Sequence, residues 1–197
     1  MPELPEVQAH AERLGAAFGG AELAGFRALS FAVLKTARPD PADAVGEPLR
    51  SVERRGKLLV LRFGEGLSFV VHLMQGGRLV PDEQQSARPR NGMARWSFAD
   101  GRALLLTEAG RERKAGVWVV AGDPLAQPPL DGLGVDADVV TREELVAALS
   151  ARNQRVHGFL RDQHGVAGLG RMLANEICHT AQLSPFAMTG SLTGEEI

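Results

Sequence analysis

Residues 58–73, Leu58-Leu59-Val60-Leu61-Arg62-Phe63-Gly64-Glu65-Gly66-Leu67-Ser68-Phe69-Val70-Val71-His72-Leu73, are two apolar runs joined by a glycine turn. Each run has strand length, and an unbroken apolar strand is one buried on both faces. Working outward, further short strands are expected at Ala24–Phe31, Ser51–Arg55, Ala94–Phe98, Ala103–Thr107 and Val117–Val120. Asp100-Gly101 between two of them signals a hairpin. Many short strands with glycine-rich turns argue for a β-sandwich or barrel. Residues 81–91 are polar, carry two prolines and read as a mobile loop. Ahead of the strands, Val7, Ala11, Leu14 and Phe18 recur at helical spacing, so Pro5–Phe18 reads as an amphipathic helix that Gly19-Gly20 stops.

The pattern changes after Gly122. Residues 123–138 form a Pro- and Gly-rich connector. Thr141-Arg142-Glu143-Glu144 then has the spacing of a capping box, leading into Leu145, Val146 and Leu149. Helices are expected over Thr141–Ala151, Val156–Gln163, Arg171–Ala181 and from Leu192 onward. The fold class is therefore α+β, an N-terminal β-sandwich domain with an N-terminal helix (1–122), a linker (123–138) and an all-α domain (139–197). No internal repeat is visible.

Of the 197 residues 44% are hydrophobic, enough for a substantial core. The net charge is −2 and the pI about 6.2, so any nucleic-acid face has to be a local concentration of Arg and Lys. Cys178 is the single cysteine, which excludes an internal disulfide and a multi-cysteine zinc cluster within these residues. No apolar run approaches about 18 residues, and Met1–Val7 lacks the apolar stretch of a signal peptide. The expected setting is a reducing cytoplasm.

Met1-Pro2-Glu3-Leu4-Pro5-Glu6-Val7 has chemical potential of its own. Once Met1 is trimmed, the Pro2 nitrogen is a free secondary amine, and an α-amine loses its proton near pH ~8. Such an amine attacks an electrophilic carbon and forms an iminium. Glu3 and Glu6 supply adjacent carboxylates for general acid/base work. The same residues equally suit a plain helix entry, with an early proline and acids near the positive end of the dipole.

The string PELPEV resembles the start of the formamidopyrimidine-DNA glycosylase / endonuclease eight family of base-excision repair. The resemblance continues at Arg54-Arg55-Gly56-Lys57, at His72-Leu73 with Gly77-Arg78-Leu79, and at Gly168-Leu169-Gly170 with Ala174-Asn175-Glu176. It implies a β-sandwich followed by a helix–two-turn–helix domain, with double-stranded DNA carrying damaged bases or abasic sites bound in the cleft between them. The implied protein is a monomer, associated with the nucleoid during repair. It needs no cofactor for the reaction, and the family's zinc hairpin would lie beyond residue 197.

The resemblance also assigns roles. Pro2 is the nucleophile, with Glu3, Glu6 and Lys57 as its catalytic partners; in isolation Lys57 reads as part of a solvated basic turn. His72, Met74 and Gln75 belong to a DNA-facing loop. Gln75 stands where the family carries a methionine that fills the gap left by a flipped nucleotide; a lone histidine such as His72 otherwise reads as structural. In the basic cluster Arg111, Arg113 and Lys114, Arg113 matches an arginine facing the base opposite the lesion. Ala115 stands where an aromatic wedge is expected. Arg152 matches a phosphate contact. Gly170 opens a helix whose N-terminal N–H groups suit a phosphate, and Arg171 replaces the usual asparagine there. The implied activity is glycosylase plus abasic-site lyase, with β- favoured over δ-elimination. A DNA-damage binder without turnover and an unrelated β-sandwich protein are the competing readings.

Overall fold

The computed structural model describes residues 1–110 and 112–197, so Arg111 of the basic cluster lies outside the described residues. Two compact units divide the chain. The first comprises Met1–Pro2, Glu6–Arg54 and Leu58–Asp131; the second comprises Glu3–Pro5, Arg55–Lys57 and Gly132–Ile197.

The first unit opens with helix α1 (Leu4–Phe18), which buries Val7, Ala11, Leu14 and Phe18, the face expected from their spacing. Eight strands follow: β1 (Leu23–Ala28), β2 (Leu49–Arg55), β3 (Leu58–Phe63), β4 (Leu67–His72), β5 (Gly77–Pro81), β6 (Gly92–Phe98), β7 (Ala103–Glu108) and β8 (Gly116–Ala121). They form two four-stranded sheets, ordered β1-β6-β7-β5 and β2-β3-β4-β8. One hydrophobic cluster draws inward side chains from both sheets and from α1. The glycine turn makes an antiparallel hairpin of β3 and β4, with Leu58 opposite His72 and Phe63 opposite Leu67. At the centre Phe69 touches the rings of Phe26, Phe63 and Trp96. Gly101, at φ +86°, turns the chain between β6 and β7 in a conformation glycine adopts without strain.

Strand β5 was not expected. Only Gly77–Pro81 pairs, too short a run to show alternation, and Pro81 sits on an edge strand where its missing N–H is tolerated. The loop after it has irregular backbone but is tied down. Arg95 and Asp82 form a buried ion pair at 2.8 Å, and the Arg95 guanidinium also donates to the Ser86 carbonyl at 2.7 Å.

The second unit is made of shorter pieces. Strand β9 (Val135–Asp136) pairs in parallel with β10 (Val166–Ala167), and helices α2 (Arg142–Ala151), α3 (Val156–Arg161) and α4 (Arg171–Thr180) complete it. Its core is Leu149, Val156, Phe159, Leu160, Val166, Leu169, Ala174 and Cys178. The capping box is present: Thr141 Oγ1 accepts from the Glu144 amide, and the Glu144 carboxylate accepts from the Thr141 amide at 2.9 Å. Helix α3 ends at Arg161, short of the expected Gln163, whose side chain is used elsewhere. The helix expected from Leu192 onward is a single turn, with Thr193 and Glu196 in a second capping-box arrangement.

Candidate active site

In the second unit Glu3 and Leu4 dock onto the glycine loop. Glu3 is 4% exposed. Its Oε2 accepts from the amides of Gly170 and Leu173, and its Oε1 from that of Met172, all at 2.9 Å. The carboxylate therefore caps α4, placing negative charge at the positive end of the dipole. The expectation of helix-terminal N–H groups open to a phosphate is thereby corrected: the Gly170 amide and two others are occupied by Glu3. The neighbouring Leu4 amide donates to the Gly168 carbonyl at 2.9 Å. Gly168 is at φ +99°, and a Cβ there would lie 2.7 Å from the Leu4 side chain, so only glycine lets the two segments approach so closely.

Lys57 reaches the same loop. It is 8% exposed and its Nζ donates to the Leu169 carbonyl at 3.0 Å. Burial lowers the pKa of its amine, partly offset by Glu3, while Arg161 lowers it further. The residues before it are clamped by Asp136 of β9. Asp136 pairs with Arg55 at 2.9 Å and accepts from the Gly56 amide at 2.8 Å, while Arg55 also donates to the Gly134 carbonyl at 2.7 Å. Lys57 is thus a buried, bonded side chain, not the solvated turn that its isolated sequence context suggests.

Pro2 lies in the first unit, on the wall of a pocket of about 660 Å³. Gln75, Gly76, Arg78, Arg90 and Asn91 line it too. Gln75 is exposed there, whereas Met74 is half-buried at φ +54°. His72 anchors the base of this turn: its Nδ1 accepts from the Met74 amide at 2.9 Å. Glu6 is exposed in the first turn of α1. The sequence gives no role to Arg78 or Arg90: Arg78 lies within Gly77-Arg78-Leu79, and Arg90 lies in a polar stretch that reads as loop.

The other basic residues singled out in the sequence fall in both units. Exposed Arg113 approaches Asn91 Oδ1 at 3.4 Å, and Lys114 is paired with Glu112 at 2.6 Å. Ala115 is fully buried in the core and its amide donates to Glu108 at 2.6 Å, so position 115 does not face outward as a wedge would. Arg152 ends α2 with its side chain exposed and its carbonyl accepting from Thr189. Exposed Arg171 is the first residue of α4.

Residues 1–117 match the formamidopyrimidine-DNA glycosylase N-terminal domain. The chain is 32% identical to a formamidopyrimidine-DNA glycosylase of Pelotomaculum thermopropionicum, over all of this chain and 72% of that protein. The chain belongs to the formamidopyrimidine-DNA glycosylase family. A second relative bearing that name, from Cytobacillus firmus, is 30% identical over all of this chain and 73% of its own. Among solved structures, the Lactococcus lactis Fpg bound to abasic-site DNA superposes with a TM-score of 0.87 at 20% identity, covering 98% of this chain and 72% of that one. The wild-type Lactococcus lactis protein with DNA containing N7-benzyl-Fapy-dG gives 0.88 at 20% identity, over 99% and 73%. The α+β fold is shared with these proteins. No helix among the described residues is long and apolar enough to cross a membrane.

Proposed function

We propose that this chain excises oxidised bases from double-stranded DNA and nicks the resulting abasic site. The observation that carries the reading is the triple backbone cap of Glu3 on the loop that Lys57 also reaches. It anchors the residue next to Pro2 where a chain terminus would ordinarily fray, and a held nucleophile needs such a support. Removal of Met1 uncovers the Pro2 amine on the wall of its pocket. The amine attacks C1′ of the flipped nucleotide and the glycosidic electrons leave with the base. The amine gives up its proton and its lone pair expels O4′ from C1′, the ring oxygen taking up a proton, so that the sugar opens to an iminium. This iminium loses its C2′ proton, the C3′–O bond breaks with the phosphate leaving, and the strand is nicked by β-elimination. Lys57, with its lowered pKa, exchanges protons in these steps more readily than an ordinary lysine. Glu3 acts first by holding: each oxygen is already a backbone acceptor, so its part in proton transfer is secondary to placing Pro2.

Gln75 fills the gap left by the flipped nucleotide, with His72 and Met74 shaping its turn. Arg113, Arg152 and Arg171 contact the DNA backbone. A cation at the first position of α4 opposes the helix dipole, which favours a binding role for Arg171 over a stabilising one. Residues 1–122 form the catalytic part and 139–197 the DNA-binding part, acting as a monomer at the cytoplasmic nucleoid. Base release from duplex DNA containing one oxidised base tests the reading. Pro2→Gly should keep DNA affinity and lower base release, because a primary amine replaces the secondary amine that attacks C1′. Undiminished release, or full activity with Met1 retained, would sink the Pro2 assignment. DNA binding without release from the unaltered chain would favour the binder that has lost turnover.

A further inference from the structure

Gln163 lies just beyond α3, and its carboxamide makes contacts that only an amide supports. Its Nε2 donates to the Leu169 carbonyl at 2.8 Å and to the Arg161 carbonyl at 3.0 Å, while its Oε1 accepts from the Gly168 amide at 3.0 Å. The orientation follows from the partners, two carbonyls and one N–H. The Leu169 carbonyl that takes Gln163 Nε2 is also the acceptor of Lys57 Nζ. One oxygen, with two lone pairs, thus receives both side chains.

We propose that Gln163 is a positioning residue that sets the place and protonation of Lys57 through the Leu169 carbonyl they share. This rests on the proton-transfer role given to Lys57 above. The loop offers little freedom otherwise. Gly168 O accepts from Leu4, Gly168 N donates to Gln163 and Gly170 N donates to Glu3. The remaining link is the Leu169 carbonyl, and Gln163 holds it together with the lysine. A neutral carboxamide does this without adding charge. The charged groups that bear on the Lys57 amine are Glu3 and Arg161, with the Arg55–Asp136 pair on the adjoining turn. A carboxylate at 163 would still accept from Gly168 but would confront the Leu169 oxygen, and would turn to Lys57 for a partner.

The test uses the small lysine inventory: Lys35, Lys57 and Lys114 are the only lysines in the sequence. Isotope labelling of lysine ε-positions in the full chain lets NMR follow each amine as pH rises. Lys57 should titrate below the ordinary lysine value of 10.5. In Gln163→Glu its midpoint should move up by roughly one unit, the usual effect of an opposite charge brought within reach, with Lys35 and Lys114 unmoved. Gln163→Met keeps length without hydrogen bonds; it should slow single-turnover cleavage of abasic DNA roughly tenfold, about one net hydrogen bond, with unchanged DNA affinity. An unchanged Lys57 midpoint in Gln163→Glu would overturn the proposal, as would unchanged cleavage in Gln163→Met. An unaltered protein that binds abasic DNA but never cleaves it would overturn the proposed function instead, while the NMR titration still decides whether Gln163 governs Lys57.

Discussion

The two units are held together by different physics. In the first, strands of five to seven residues and one helix bury a continuous apolar cluster, and hydrogen bonding is mostly strand to strand. In the second, two-residue strands and short helices surround a smaller core. Side chains there stitch the backbone: Glu3 to α4, Asp136 to residues 55 and 56, Gln163 to the glycine loop and Thr141 to α2. Burial of apolar area is non-directional and tolerant of detail, whereas a buried polar tether is lost as soon as one partner goes. The chemistry assigned to Glu3 and Lys57 therefore sits in the part whose structure depends on named polar groups.

The contrast predicts graded effects. The largest belongs to the first unit. Phe69→Ala removes a ring in contact with three others and should cost about 3–5 kcal/mol of stability, the range for emptying an aromatic core site. Urea unfolding measures it, and a loss near zero would mean that the cluster is not the core it is taken to be.

A smaller effect belongs to the second unit. Glu3→Gln keeps size but replaces one acceptor oxygen with an NH₂ that cannot receive an amide. The cost should be roughly 2–3 kcal/mol, that of hydrogen bonds to a charged group. Hydrogen exchange should quicken first at the Gly170, Met172 and Leu173 amides. Unaltered exchange there would break the comparison, because the second unit would then not depend on its tethers.

The same contrast decides what was legible in the sequence. The buried face of α1, the β3–β4 hairpin and the Thr141 capping box follow from local periodicity and spacing, and the structure contains each. Strands β9 and β10 do not, since two residues have no period. The Glu3 cap joins residues 167 apart to the start of a helix, and no local pattern marks it. Gly168-Leu169-Gly170 signals a real feature, the N–H groups of α4. The sequence could not show that the chain's own carboxylate occupies them. Gln163 was missed because it reads as the end of a helix, and its value lies in three contacts made after that helix has stopped.

The chemistry proposed for this chain turns on the Pro2 amine as nucleophile. Borohydride reduction of the protein mixed with abasic duplex DNA, followed by peptide mapping of the crosslinked product, tests it most directly. A Pro2 nucleophile gives a covalent adduct on the N-terminal peptide beginning at Pro2, from chains that have lost Met1. Bound DNA with no adduct, or an adduct mapped to Lys35, Lys57 or Lys114, would contradict it.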